Sequence, residues 1–330
     1  MPVQRFEYER LKMAVPVRIV FYAETEATAE ACAETAYRRF DEINASMSDY
    51  DPTSEILQLG VDNDLRFRKD SCCDDGWRGL SDDLFAVLQY SRHYAEISGG
   101  AFDVTVSPLV QLWRRARRLR RMPGREEIET ARSLVGSHLW ELDGGEKRVR
   151  LHRAKMRFDF GAIAKGYAID QAFEAIRAAG IRAVLVDAGG DMRLGDAPPG
   201  EDGWRVAMVT RRQPDSGEPP VYKTLADTAV AVSGDMFQYF EVDDKRYSHI
   251  IDPKTGMPLT DSCLVTIFAS TATEGDALAS AVSVLGPDQG ISLIDRIPGT
   301  SVMIVQPTDP PLFFYSKTWP TDHNKNIIGN

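Results

Sequence analysis

The sequence has few cysteines, and none of the four stands in a metal-binding pattern. Cys32, Cys72, Cys73 and Cys263 show neither a CxxC pair nor the cysteine–histidine spacing that is typical of zinc sites. Cys72 and Cys73 are adjacent, which does not suit a disulfide framework. We therefore expect a chain that folds without cystines or structural zinc.

A long apolar run and an excess of basic residues are also missing. The N-terminus alternates charged and apolar residues, so no signal peptide or membrane span is visible, and the chain as written is expected in the cytoplasm. The formal net charge is −10. Because nucleic-acid binding needs a net basic surface, this charge argues against a nucleic-acid partner.

The chain is long enough to bury a large core. Its 330 residues are 43% hydrophobic and 27% charged, which is an ordinary globular composition. No internal repeat or long linker interrupts it. We therefore predict a single domain over 1–330, with a loop or insertion at about 61–80 and a loose tail at about 319–330.

The hydrophobic pattern predicts strands and helices in alternation, most clearly in the second half. The first helix has apolar residues at three- and four-residue steps between Ala29 and Met47, and others are predicted over 81–97, 164–179 and 274–285, the last ending at Gly286-Pro287. The predicted strands are 15–23, 157–160, 182–186, 229–233, 246–251, 264–269 and 300–305. The polar stretch 62–79 is predicted as a loop.

The segment DFGAIAKG, residues 159–166, stands where a predicted strand turns into a helix. Its small residues would let a phosphate-bearing ligand approach the backbone, and a helix N-terminus with Lys165 favours anions. The segment matches neither a Walker loop nor the GxGxxG motif. By spacing alone, a phosphate site and a plain strand–helix turn with a solvated Lys165 remain alternatives.

A second candidate lies at the start of the helix predicted over 274–285. Asp276 and Ser280 stand four residues apart and therefore share one face of that helix. A carboxylate and a hydroxyl so placed can hold a magnesium ion whose other ligands are phosphate, carbonyl and water oxygens. Thr273 and Asp276 also match the capping pattern [ST]-x-x-[DE], so capping of its own helix is the alternative role for Asp276.

Three further segments place chemical groups in turns. His249 and Asp252 lie where a predicted strand runs into a Pro/Gly turn, a common place for catalytic groups, although a lone histidine is more often a structural hydrogen-bonding residue. Residues 98–105, SGGAFDVT, either wrap a ligand with backbone groups or only connect two elements. Tyr50, in the turn 48–54, either stacks on a flat heterocycle or is an ordinary surface or core tyrosine.

Six arginines occur in the eight residues 114–121. A solvated helix face is the ordinary interpretation of such a run. A binding surface for an acidic partner is the alternative.

Taken in order, these segments resemble the ApbE family, the FAD:protein FMN transferases. Each segment is a weak signal, but together they span most of the chain in the family's order. The matching segments are SDYDPTSEI (48–56), SGGAFDVTVSPLVQLW (98–113), DFGAIAKGYAID (159–170), VDAGGDMRLG (186–195), AVSGDMFQYFEV (231–242), YSHIIDPKTGMPL (247–259) and ATEGDALASAVSVLGP (272–287).

The resemblance implies an α+β, T-fold-like architecture with mixed or antiparallel sheets and two lobes around an FAD cleft. It implies FAD as the substrate and Mg²⁺ on the FAD pyrophosphate. By this analogy the side chains of Asp276 and Ser280 and the backbone carbonyl of Ala162 are metal ligands. His249 is then the candidate general base near the phosphates, and Lys165 and Asp276 share the catalytic site with it.

The resemblance also assigns contacts to the flavin and the nucleotide. Tyr50 would stack on the isoalloxazine ring. The other implied FAD contacts are Ala101, Phe102, Asp103, Asp159, Lys165 and Ile251. Three positions depart from the family pattern: Ala14 and Val15 follow Met13 where Met-Gly-Thr is usual, and Gly60 stands where an asparagine is expected.

The implied reaction is Mg²⁺-dependent transfer of the FMN half of FAD to a threonine hydroxyl of an acceptor flavoprotein, with release of AMP. An FAD pyrophosphatase that uses water as the acceptor and a non-catalytic flavin carrier remain alternatives. Most relatives are exported, so a periplasmic location is the alternative to the cytoplasm if the true start lies upstream.

Overall fold

A computed structural model describes residues 3–68, 75–208, 221–234, 239–242, 245–261, 263–308 and 310–320. Within these ranges the chain combines helices with antiparallel sheets. The helices are α1 (Glu26–Met47), α2 (Glu55–Arg68), α3 (Asp82–Ile97), α4 (Ser107–Leu119), α5 (Arg125–Arg132), α6 (Ala164–Ala178) and α7 (Ala272–Ile294). Short 3-10 turns occupy Val104–Val106 and Ser137–Leu139.

In the described part of the chain, eight strands form one large sheet in which all neighbours are antiparallel. Their spatial order is β1 (Gln4–Lys12), β2 (Val15–Ala23), β6 (Val184–Ala188), β7 (Asp191–Leu194), β10 (Thr228–Gly234), β13 (Leu264–Ala269), β14 (Ser301–Gln306) and β15 (Leu312–Tyr315). A small sheet has the order β3 (Trp77–Gly79), β5 (Arg148–Leu151) and β4 (Trp140–Asp143), and two ribbons pair β8 (Trp204–Met208) with β9 (Val221–Leu225) and β11 (Tyr239–Val242) with β12 (Lys245–Ser248).

The main core lies between the large sheet and the helices α1, α6 and α7. Strand β2 shows why the sheet has two apolar faces. Val17, Ile19 and Phe21 point into the main core, whereas Val20 belongs to a cluster on the opposite face. Successive side chains of a strand point to opposite sides, so an apolar run such as β2 is buried on both faces.

The opposite face of the sheet is covered by the β8–β9 ribbon and by Trp319 near the end of the described chain. The Trp319 ring stacks on Phe268 of β13, with 4.6 Å between the ring centroids. The large sheet therefore has β1 and β15 as its edges and little bare apolar surface at its centre.

Most of the predicted helices and strands are confirmed. Strands β2 and β13 occupy the predicted residues, and α3 begins after Ser81, whose side chain accepts a hydrogen bond from the N–H of Leu84. Helix α6 ends just before Gly180, as predicted. The strands predicted at 182–186, 229–233, 246–251 and 300–305 occur with ends shifted by a few residues.

Other predictions are wrong. The loop predicted over 62–79 contains the end of α2 and all of β3, while residues 69–74 lie outside the described ranges. The segment 157–160 is not a strand; the backbone N–H of Asp159 instead donates to the carbonyl of Val104 at 2.7 Å. Strand β15 follows the strand predicted to be the last. The edge strand β1 was not predicted, because most of its residues are charged and exposed and only Phe6 and Tyr8 pack against the main core.

Helix α7 is interrupted where the sequence predicts its end. Gly286 has φ 72° and ψ −177°, and Pro287 follows it, but a second helical stretch continues to Ile294. By length and composition α7 is apolar enough to cross a membrane. Half of that stretch is buried inside the protein, and α7 contacts α6, β10 and β13, as a core helix does. The tail beyond residue 320 lies outside the described residues.

Candidate active site

The N-termini of α6 and α7 meet at Gly166. A Cβ atom added to Gly166 would lie 2.3 Å from the carbonyl oxygen of Ala272 and 2.9 Å from the Cβ of Asp276. Because no side chain fits in this space, only glycine lets the two helices approach so closely. This close approach brings the segment 159–166 and the segment 272–280, two of the candidate segments, into contact.

Each of the two helices is capped by an aspartate of the other. Asp276 of α7 accepts a hydrogen bond from the N–H of Gly166 at 3.0 Å. Asp170 of α6 accepts from the N–H groups of Ala272 and Thr273 at 2.9 and 2.8 Å. These bonds satisfy N–H groups that have no partner within the first turn of a helix.

The alternative role suggested for Asp276, capping of its own helix, is therefore wrong. Thr271 caps α7, since its side chain accepts from the N–H of Glu274 at 3.1 Å. Asp170 was not identified from the sequence, although it lies in the segment 159–170. Its buried carboxylate also pairs with Arg193 at 2.6 Å, which ties the helix pair to β7.

The carbonyl of Ala162 lies just before the start of α6. Ile163 is the N-cap of this helix and its carbonyl accepts the first helical bond, from Tyr167, so the Ala162 carbonyl takes no part in the helical hydrogen bonds. Among the described residues the Ala162 carbonyl accepts no hydrogen bond, and neither does the Oδ1 atom of Asp276. Ser280, half-buried, lies one turn after Asp276 on α7. Three oxygen donors of the kinds that Mg²⁺ binds thus belong to neighbouring segments.

The described part of the chain contains no group of three or more His, Cys, Asp or Glu side chains arranged for a metal ion. The predicted ligand set has only one carboxylate, because the other two donors are a carbonyl and a hydroxyl. The donor chemistry fits a hard cation that keeps ligands from water and substrate phosphate, as Mg²⁺ does. It does not fit zinc, which prefers nitrogen and sulfur ligands.

Lys165 is not the solvated side chain of a plain strand–helix turn. Its ammonium forms an ion pair with Asp191, whose side chain is 2% exposed. Asp191 is held in turn by the N–H of Val232, which donates to its Oδ1 at 2.8 Å. Burial lowers the pKa of Lys165, and the carboxylates of Asp276 and Asp187 oppose this shift. The ion pair with Asp191 holds the Lys165 ammonium beside the candidate metal ligands.

Asp191 belongs to the matching segment VDAGGDMRLG, but it was not predicted as a site residue. It follows the turn Gly189-Gly190, which joins β6 to β7 and has positive φ at both glycines. A Cβ on Gly189 would lie 3.2 Å from Val15, so this turn packs against the tip of the β1–β2 hairpin. The sequence feature that could have identified Asp191 is its place directly after the Gly-Gly turn.

Tyr50 and Asp159 lie together, and Arg114 joins them. The guanidinium carbon of Arg114 is 5.0 Å from the centre of the Tyr50 ring. The same guanidinium is 2.5 Å from Asp49 and 3.9 Å from Asp159. Burial raises the pKa of Asp159, Asp49 adds to this rise, and the N–H of Gly161 and Arg114 oppose it. In the sequence Arg114 is one of the six arginines of the basic run, and no sequence feature distinguishes it from the other five.

The other arginines of the run, Arg115, Arg117, Arg118, Arg120 and Arg121, are exposed, in agreement with a solvated helix face. Within the described residues only Arg121 among these five forms an ion pair, with Glu127 at 3.1 Å. The alternative of an acidic partner stays open for this surface.

The segment Ala101-Phe102-Asp103 lies beside Asp159, because the N–H of Asp159 donates a hydrogen bond to the carbonyl of the next residue, Val104. Ala101 and Phe102 are buried, and Phe102 packs edge-on against Tyr94 in the core. A ligand here would therefore meet the backbone of Phe102 and not its ring. Asp103 accepts from the N–H and the hydroxyl of Thr105 at 2.8 and 2.6 Å, and burial raises its pKa.

Ile251 and His249 belong to the turn that follows β12. Ile251 is buried against Leu109 and Trp113 of α4 and forms an isolated bridge with Pro258. His249 is exposed, between Ser248 and Ile250. Helix α4 thus connects this segment with Arg114 and Tyr50. The catalytic role of His249 stays a prediction.

The sequence matches the model of a known protein family. The model of the ApbE family matches residues 13–304. The chain belongs to the ApbE family. The family resemblance predicted from the motifs is thereby confirmed.

Curated relatives of this ApbE protein are named FAD:protein FMN transferase. The protein of Chlamydia trachomatis is 30% identical over 290 residues, which is 86% of each chain. The protein of Treponema pallidum is 33% identical over 239 residues, 68% of this chain and 66% of its own. The crystal structure of an ApbE protein from Thermotoga maritima superposes with a TM-score of 0.81 and 29% identity, covering 96% of this chain and 98% of that one.

These similarities confirm the predicted α+β fold with antiparallel sheets and the membership in a family of transferases. The two lobes around an FAD cleft stay a prediction. The structure gives a physical account of one departure from the family pattern. A Cβ on Gly60 would lie 2.5 Å from the Arg157 side chain, which crosses α2 there and pairs with Asp64 at 2.6 Å. Any side chain at position 60 would displace this pair.

Proposed function

We propose that this ApbE protein transfers the FMN half of FAD to a threonine hydroxyl of an acceptor flavoprotein and releases AMP. The observation that carries the proposal is the paired capping of α6 and α7. At this junction the carbonyl of Ala162 and the second carboxylate oxygen of Asp276 accept no hydrogen bond from the described residues, and they lie near Ser280 and beside the cation of Lys165. The names of the curated relatives support the same activity.

In the proposed reaction the threonine oxygen forms a bond to the phosphorus on the FMN side of the pyrophosphate. The bond from that phosphorus to the bridging oxygen breaks, and AMP leaves with this oxygen. The product is FMN joined to threonine by a phosphodiester, and the hydroxyl proton must pass to a base. No oxidation or reduction of the flavin is required.

Mg²⁺, held by Ala162, Asp276 and Ser280, would supply positive charge to the pyrophosphate oxygens. Lys165 contributes a fixed ammonium beside the same segment, held in place by Asp191. Negative charge grows on the leaving bridging oxygen as the reaction proceeds. A cation that is already oriented stabilises this charge more in the transition state than in the ground state.

His249 is the proposed base. It lies exposed in the turn after β12, where a hydroxyl of a second protein can approach it. The ordinary pKa of histidine, about 6.5, suits proton abstraction near neutral pH.

The proposal is tested by incubating the protein with FAD, Mg²⁺ and an acceptor that carries a threonine-containing flavinylation segment. We expect flavin fluorescence that stays on the acceptor after denaturing electrophoresis, together with free AMP. An acceptor with valine in place of that threonine is the control and should stay unlabelled. Free FMN and AMP without labelling would indicate a pyrophosphatase, and unchanged FAD would indicate a carrier.

A further inference from the structure

Arg114 is the arginine of the 114–121 run that contacts the candidate site. Its guanidinium lies over the Tyr50 ring, with 5.0 Å from the guanidinium carbon to the ring centre. Within the described residues no other ring or cation contact involves Tyr50, which is 77% exposed. One face of the Tyr50 ring is therefore backed by a cation, and the opposite face is accessible to solvent.

The backbone that carries Tyr50 is well fixed. The side-chain oxygen of Ser48 accepts from the N–H groups of Tyr50 and Asp51, each at 3.3 Å, and the Ser54 hydroxyl donates to the Ser48 carbonyl at 2.7 Å. These bonds hold the turn but not the ring, since the side chain of Tyr50 has two rotatable torsions beyond the backbone. Arg114 is the described group that restricts the ring.

Arg114 is itself fixed by two carboxylates. Its Nη1 atom is 2.5 Å from Asp49, and its Nη2 atom is 3.9 Å from Asp159. Asp159 is part-buried, so its carboxylate needs a nearby cation. An arginine can contact two carboxylates and a ring face at once because its guanidinium is planar and carries five donors.

We propose that Arg114 is a positioning residue that holds the Tyr50 ring flat for stacking on the isoalloxazine of FAD. The inference rests on the proposed function, in which Tyr50 contacts the flavin. Arg114 itself need not touch FAD, because it acts from the far side of the ring. A ring that is already oriented loses less conformational freedom on binding, so Arg114 should affect FAD affinity more than the rate of transfer.

The chain offers a matched control in the next residue. Arg115 is also on α4 and exposed, and within the described residues it forms no ion pair or ring contact. The test compares Arg114→Ala, Arg114→Lys and Arg115→Ala with the unaltered protein, and repeats Arg114→Ala in a Tyr50→Ala background. FAD affinity is measured by titration of flavin fluorescence, and KM and kcat are measured separately for transfer.

We expect Arg114→Ala to weaken FAD binding about five- to tenfold, which corresponds to the loss of a cation–π contact and of ring orientation. The fluorescence quenching of bound flavin should decrease, since less of the flavin is stacked. The FAD affinity of Arg114→Lys should lie between those of Arg114→Ala and the unaltered protein, and Arg115→Ala should bind FAD as tightly as the unaltered protein. At saturating FAD, kcat should stay within about threefold.

The double variant decides whether Tyr50 is the residue through which Arg114 acts. In the Tyr50→Ala background, Arg114→Ala should weaken FAD binding by no more than about twofold. An equal effect with and without Tyr50 would overturn the inference and point to Asp159 instead. Unchanged affinity in Arg114→Ala, with an unaltered protein that does bind FAD, would overturn it too. An unaltered protein that binds no FAD would overturn the proposed function as a whole.

Discussion

Asp170 and Asp276 each cap the helix that carries the other. Asp170 of α6 binds the first N–H groups of α7, and Asp276 of α7 binds the N–H of Gly166 near the start of α6. The exchange locks the two helix ends that present the candidate metal ligands. Asp276 thus has two roles. One oxygen of its carboxylate caps α6, and the other is available to a cation, so substitutions can separate the structural role from the chemical one.

Substitution of Asp276 by asparagine and by alanine should separate the two roles. Asp276→Asn keeps an oxygen that accepts from Gly166, so its stability should stay near that of the unaltered protein, whereas the lost charge should abolish Mg²⁺-dependent turnover. Asp276→Ala should lose both turnover and about 1 kcal/mol of unfolding free energy. Chemical denaturation beside the transfer assay measures both quantities.

Thr271→Ala is the matched control for that pair. It removes the N-cap hydroxyl of α7 but keeps the bonds to Asp170 and touches no predicted ligand, so it should cost a similar free energy of about 1 kcal/mol and leave turnover intact at the assay temperature. Turnover of Asp276→Asn at the unaltered level would remove Asp276 from the metal site.

Gly166→Ala should force α6 and α7 apart. The added methyl would lie 2.3 Å from the carbonyl oxygen of Ala272, and overpacking of this kind costs about 1–3 kcal/mol or more. Displaced ligands should also raise the Mg²⁺ concentration needed for half-maximal transfer. Gly144→Ala is the control, because a Cβ there would meet nothing within 4 Å. Equal stability of the two variants would show that the helix contact is looser than the structure indicates.

Ala14→Gly should stabilise the protein. Met13 and Ala14, at the tip of the β1–β2 hairpin, have φ 48° and 63°, a left-handed conformation that costs a non-glycine residue about 1–2 kcal/mol. The greater freedom of glycine in the unfolded chain offsets part of this gain, so we expect a net increase of about 0.5–1 kcal/mol in the free energy of unfolding.

An alanine-to-glycine substitution inside a helix should have the opposite effect on the free energy of unfolding. Ala31→Gly, at an exposed position inside α1, should lower the free energy of unfolding by about 1 kcal/mol. Denaturant titrations of the two variants side by side test the pair. Destabilisation by Ala14→Gly would indicate that the hairpin tip does not hold the left-handed conformation in solution.

His249→Ala should reduce transfer about 10²- to 10⁴-fold at saturating FAD and Mg²⁺, as expected for loss of a general base. FAD affinity should change little. His152→Ala is the control, since His152 is also exposed but pairs with Glu141 on the small sheet, at 3.1 Å. Near-normal turnover of His249→Ala at saturation, with weaker FAD binding, would leave His249 as a binding residue and remove it from proton transfer.

Local patterns in the sequence were enough for much of the fold. Apolar residues at three- and four-residue steps defined α1, and a capping serine with a glycine break after it bounded α3. A stretch rich in β-branched and aromatic residues defined β2. Such patterns fail where an element has few apolar residues, as in the charged edge strand β1, and where a break does not end a helix, as at Gly286.

The sequence by itself determined the family, the α+β class and the segments that carry candidate chemistry, because these depend on residue identity in a fixed order. Only the tertiary structure decided what those residues contact. Asp276 caps a helix whose N–H lies 110 residues away in the chain, and Arg114 bonds to Asp49, 65 residues away. Local periodicity records which face of an element is buried but not which element covers it. These long-range pairings therefore emerge only when packing brings the helix ends and turns together.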